Sequence, residues 1–199
     1  MTGKSDGRLR AAGVVAGIVL SLLNAPGTAT MPATAAAADA GPGVATSPRA
    51  GFGRGRETGY PVPRFVSLKS SHARMRVGPS TDYAAKWVYT HRGMPFEITE
   101  EYGNWRRVRD FEGVTGWMHG ALLSGDRTAI VGPWLDEPVP LRRSPSSGGE
   151  VVARLAPKVM MHVAACNGTW CEVSLPRSDL DGYADQASLW GVYPGERFE

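Results

Sequence analysis

The chain has 199 residues, 42% hydrophobic and 21% charged. That is enough apolar material for one or two small folded domains and too much for a disordered chain. The formal charge of +3 overstates its basicity: without residues 1–38, which carry Lys4, Arg8 and Arg10, the remainder is near +1, and a basic nucleic-acid footprint is absent at whole-chain level.

Residues 1–38 read as an export signal: a basic start, an apolar run over residues 11–23, then small residues up to Ala38. The run is shorter than the ~20 residues a membrane-spanning helix needs, which predicts cleavage and no stable membrane span afterwards. No cysteine follows the run, which excludes a lipoprotein anchor. Residues 39–63, rich in Gly and Pro, read as a flexible linker. Arg54 and Arg56 between its glycines are available to anionic polymers, although a solvated linker is the simpler reading.

From residue 64 the chain breaks into short runs separated by turn residues, the signature of an all-β fold. "HARMR", "KWVYT", "PFEIT", "WRRVR" and "VTGWM" read as strands in the first half, and "VPLRR", "VVARL", "VMMHVAA", "TWCEV" and "DGYAD" in the second. "HGALL" and "QASLW" read as single helical turns. The halves repeat one another. "ARMRVGPS" aligns with "VPLRRSPS", "GNWRRV" with "GTWCEV", and "TGWMHGALLSG" with "DGYADQASLWG", at offsets of 65 or 66. Two copies are too few for a solenoid, so tandem domains over residues 64–127 and 128–199 are expected. The first half carries ten basic and seven acidic residues and the second six and nine, which suggests complementary packing between them.

Arg74, Arg76, Gly78, Pro79, Ser80 and Tyr83, then Gly103, Trp105 and Val108, then Gly113, Gly116 and Trp117 give the first copy its pattern. In this the chain resembles the exported bacterial SH3-like (SH3b) domain proteins with two tandem copies. The resemblance covers about residues 64–196 and implies two small SH3-like barrels and association with cell wall or peptidoglycan. The second copy departs from the pattern: Ser144 stands in place of Gly78, and Tyr183 in place of Trp117. Ligand contacts are therefore sought in the first copy.

The inventory of side chains gives no catalytic residues. Four scattered histidines lack metal-ligand spacing, and no G-x-S-x-G occurs. Glu100 and Glu101 are adjacent in a strand, so they point to opposite faces and do not act as a pair. No metal site and no cofactor is expected.

Cys166 and Cys171 flank Asn167-Gly168. The spacing and β-turn context fit poorly with a C-x-x-C redox site at a helix start. His162 lies ~13 Å along the strand from Cys166, too far to share a metal without a sharp bend. Asn-Gly is a strong turn signal and an exported chain meets oxidising conditions, so a disulfide across a hairpin end is expected. Strict alternation puts Val163 and Cys166 on opposite faces, which requires a bulge or bend at Ala164-Ala165. The aligned residues of the first copy are Glu101 and Arg106, an expected exposed ion pair across the same turn.

Trp105 and Trp117, with Trp170 and Tyr183 in the second copy, are expected to pack and seal each barrel. Tyr83 in the leading loop and Tyr102 in a turn are harder to bury. With Asp82 and Arg92 they are the expected lining of a shallow groove for a sugar or an extended peptide. The function expected is a non-catalytic exported module in the periplasm or cell envelope, binding peptidoglycan or its stem peptides. The alternatives are an adaptor for an envelope protein or an accessory partner of a separate wall hydrolase.

Overall fold

The computed structural model describes residues 52–176 and 178–199. The expected export signal over residues 1–38, and the linker up to residue 51, lie outside the described residues.

The chain opens with a small hairpin of β1 (Gly53–Arg54) and β2 (Pro61–Val62). The first half then forms seven strands: β3 (Arg64–Leu68), β4 (Ala73–Arg76), β5 (Ala85–Tyr89), β6 (Pro95–Tyr102), β7 (Trp105–Arg109), β8 (Thr115–His119) and β9 (Leu123–Ser124). They pair in the order β5-β4-β8-β7-β6-β3-β9. The second half contributes β10 (Thr128–Val131), β11 (Val139–Arg142), β12 (Val151–Leu155), β13 (Met160–Asn167), β14 (Trp170–Ser174), β15 (Asp181–Asp185), β16 (Leu189–Trp190) and β17 (Arg197–Phe198). Its order is β12-β11-β15-β14-β13-β10-β16, with β17 added onto β13. Strand for strand the second sheet repeats the first. Single 3-10 turns, Gly120–Leu122 and Gln186–Ser188, occupy the places where one helical turn was expected.

The expectation of two barrels needs correction. The fold is all-β, but among the described residues neither sheet closes. The outer strands of each path do not pair with one another: β9 is two residues long and bonds to β3, while β5 lies at the opposite edge with four of its five residues exposed. Near that edge each sheet is held by a single residue pair, Arg76 with Trp117 in the first and Arg142 with Tyr183 in the second. Gly116 permits this approach, since a Cβ there would run into the Met75 side chain and the Arg76 carbonyl.

Alternation builds two separate cores. In β4, Ala73 and Met75 are buried while Arg74 faces solvent. With Phe96, Ile98, Val108 and Met118 they fill the first core. The second holds Leu141, Met161, Val163 and Val173 together with both cysteines. Trp105, Trp117, Trp170 and Tyr183, expected as seals, are half-buried and stand outside both clusters.

Cys166 and Cys171 face one another in register and are joined by a disulfide. The register slips between Val163 and Ala165, at the expected site, and the same slip occurs between Ile98 and Glu100 in the first half. In the chain-entropy model, closing so short a loop contributes about 2 kcal/mol. Reduction is therefore expected to lower unfolding free energy by about that amount, as read from urea titrations with and without reductant.

Candidate functional site

Glu101 organises the site. The bulge in β6 turns Glu100 outward and Glu101 inward, where its side chain is fully buried. Its Oε2 accepts the backbone N–H of Glu57 (3.0 Å) and of Thr58 (2.9 Å), while Oε1 accepts the Thr58 hydroxyl (2.6 Å) and Arg64 Nη2 (2.8 Å). Arg106 Nε approaches to 3.7 Å. The expected exposed Glu101–Arg106 pair is thus replaced by a buried carboxylate that clasps the N-terminal hairpin. The reason is the supply of donors: the hairpin turn presents two N–H groups and a hydroxyl, which a buried carboxylate requires. Gly55 lets the hairpin come this close, because a Cβ there would overlap the carboxylate. Burial by itself would raise the Glu101 pKa, but the hydrogen bonds from Thr58, Arg64 and Glu57 outweigh it and hold the carboxyl at about 2.

This clasp fixes residues 52–63, in the stretch read as a linker, as one wall of an open cleft of about 940 Å³. The other walls come from the first sheet and from the segment after β16. Four rings face the cleft, Phe52, Tyr60, Phe65 and Tyr193. Phe52 meets Tyr193 edge-on at 5.0 Å, and Phe65 packs on Tyr193 at 4.7 Å. The Tyr193 hydroxyl donates to Glu97 Oε1 (3.0 Å), a buried carboxylate also held by Arg109 Nε (2.8 Å). Burial and the Glu97 charge push the Tyr193 phenol up, which keeps its proton on for this bond. Arg54, Arg64, Arg106 and Arg127 supply four guanidinium groups, and Glu196, gripped by Arg127 at 2.9 and 3.0 Å, is the one carboxylate in the lining.

Among the described residues two ion pairs join the halves. Arg127–Glu196 follows the charge difference between them, whereas Lys158–Glu112 runs against it. The junction is held by rings and specific pairs as much as by the overall polarity of the halves.

The residues expected to form a groove lie elsewhere. Tyr83 and Tyr102 are 48% and 57% exposed. The Tyr83 ring covers Gly78, and its carbonyl accepts Arg76 Nη1. Asp82 accepts the Ser80 hydroxyl (2.9 Å), and Arg92 is exposed in the turn between β5 and β6. None of the four lines the large cleft or a smaller one of about 320 Å³ beside β4. Of the expected structural aromatics, Trp105 does line the smaller cleft. Among the described residues no group of three or more His, Cys, Asp or Glu side chains is placed to hold a metal ion, and no helix is long and apolar enough to cross a membrane.

The profile of the bacterial SH3 domain matches residues 69–125 and again 136–191, more than half of the chain. The chain belongs to the bacterial SH3 domain family, a family of non-catalytic binding domains. Among curated proteins no sequence matches it. Solved structures similar to it include an NlpC/P60 family protein from Bacillus cereus ATCC 10987 (11% identity, TM-score 0.28, covering 63% of this chain and 55% of that one). NlpC1 from Trichomonas vaginalis is similar at 12% identity and TM-score 0.29, covering 68% of this chain and 48% of that one. The match thus spans about half the length of those proteins, and the family assignment rests on the domain profile.

Because the Glu101 pKa is depressed on folding, its stabilising contribution is present above the ordinary value of 4.5 and is lost as pH falls toward about 2. The Thr58 amide resonance is expected to move through that window and to lose the response in Glu101→Gln. Glu101→Ala should cost about 3 kcal/mol, since it strands buried donors, and should expose the hairpin to limited proteolysis.

Proposed function

We propose that this chain is a non-catalytic, exported module that associates with cell-wall peptidoglycan through the large cleft. Residues 1–38 would direct it to the cell envelope, and the two SH3 halves, over 64–127 and 128–199, would act as one unit. The observation that carries the reading is the lining of the cleft, four aromatic rings among four guanidinium groups with one carboxylate. Rings offer flat apolar faces to sugars, and guanidinium forks donate to carboxylates of the kind a stem peptide carries. The cleft is open and large enough for an extended polymer segment. The exposed residues Tyr83 and Tyr102, with Asp82 and Arg92, are proposed as separate secondary contacts, since Arg92 and Tyr102 stand at opposite ends of β6.

One observation favours the adaptor reading. The edge strand β5 carries exposed Trp87 and Val88, 52% and 48% accessible, on an edge that no other described strand pairs. Such an edge accepts a partner strand.

Co-sedimentation with detergent-washed wall sacculi tests the proposal. The protein is expected to pellet with sacculi, and Tyr60→Ala and Arg54→Glu should each weaken binding by about tenfold, the equivalent of one good contact. A larger loss in Tyr83→Ala or Tyr102→Ala would move the site to the first-half loops. Protein that stays in the supernatant would overturn wall binding.

A further inference from the structure

We propose that the first SH3 half carries a binding site for a small oxyanion, a carboxylate or phosphoryl group on a compact body, in the smaller cleft beside β4. It is independent of the wall binding proposed for the other cleft. This cleft measures about 320 Å³, and its wall contains Arg74, Arg76, His72, His119, Thr81 and the Trp105 ring, with no carboxylate. That volume is at the lower end for ligand pockets and suits a single charged end rather than a polymer.

Each donor is placed by the fold. Ala73 and Met75 point into the core, so Arg74 and Arg76 share the outer face of β4. Trp105 stands opposite His119 across the β7–β8 ladder, their rings nearly perpendicular at 5.5 Å. His119 Nδ1 accepts the Ala121 N–H at 3.2 Å, so in the neutral ring the proton sits on Nε2, which is left as a donor. Arg76 gives Nη1 to the Tyr83 carbonyl and keeps its other N–H groups. Arg74 spends no side-chain donor on protein among the described residues. Asp82, beside Thr81 in sequence, is tied to Ser80 outside the lining. Guanidinium groups next to an aromatic face are the arrangement that holds planar or tetrahedral oxyanions.

The second half is an internal control. It keeps the scaffold, with Trp170 in the position of Trp105, but has Pro138 for His72, Pro140 for Arg74 and Asp185 for His119. Asp185 caps the equivalent 3-10 turn by accepting the Ala187 N–H at 3.1 Å, as His119 does for Ala121. The turn is therefore closed by a carboxylate as well as by an imidazole, and capping alone does not call for histidine. Arg142, in the place of Arg76, donates to the Gly149 carbonyl at 2.7 Å. One fold thus presents a cationic surface in its first copy and has lost it in its second.

The test is an NMR titration of the 15N-labelled full chain with sodium phosphate, and separately with sodium acetate, against sodium chloride of equal ionic strength at constant pH. The Trp105 indole N–H and the His119 ring should shift saturably, and the Trp170 indole should not. Arg74→Gln and His119→Asp should each weaken binding by roughly tenfold, the loss of one charge-assisted contact. His119→Asp installs the residue that already caps the second copy, and Arg74 is exposed, so both variants should fold. Tighter binding of phosphate would assign a phosphoryl ligand and tighter binding of acetate a carboxylate, and either supports the site. A response that matches chloride, that fails to saturate, that is equal at Trp170 or that survives both substitutions would overturn it.

Discussion

A carboxylate without water must be surrounded by donors, and Glu101 meets that requirement with groups from the hairpin turn, Arg64 and Arg106. Three of these donors, two N–H groups and a hydroxyl, belong to the hairpin turn. The hairpin is ordered because the buried charge needs it, and the charge is tolerated because the hairpin is there. The wall of the large cleft, with Arg54, Thr58 and Tyr60, follows from that mutual dependence. The same carboxylate orients Arg64, whose guanidinium also lies over the Tyr60 ring at 5.5 Å.

The repeat shows what this position is for. Glu101 and Cys166 stand at matching places, each two residues after a bulge, on matching strands. In the first copy the place receives the N-terminal hairpin. In the second it receives β17, which pairs Phe198 with Cys166 and Arg197 with Asn167. Both copies therefore gather a terminal segment onto the same strand end. One does it with a charged hub and the other with backbone pairing beside a covalent bridge.

Much of the scaffold was legible because it is local. The strand runs, the 3-10 turns, the bulge at Ala164 and the cysteine bridge each follow from alternation, turn residues and the comparison of two copies. The hairpin was not legible. Its Gly and Pro content is that of a linker, and the contact that orders it lies 44 residues away in sequence. Sheet closure was missed for a related reason, since strand pattern specifies pairing faces but not whether two edges meet. The site followed the same logic. Tyr83 and Tyr102 lie in a loop and a turn that do not bury a ring, and they are exposed. The rings that converge, Tyr60, Phe65 and Tyr193, are spread over more than 130 positions and share no sequence signal. In the sequence Arg54 is only a cation between glycines.

The edge-on contact of Phe52 with Tyr193 brings the two extremities of the described fold together at a single place. A pull on the chain before Phe52 would load that pair of rings and the Glu101 clasp behind it. A pull after Glu199 would instead load β17, whose Phe198 pairs with Cys166 and packs on the second core. The two ends of the described fold are thus anchored by different means, one by side chains around a buried charge and the other by a strand beside the disulfide.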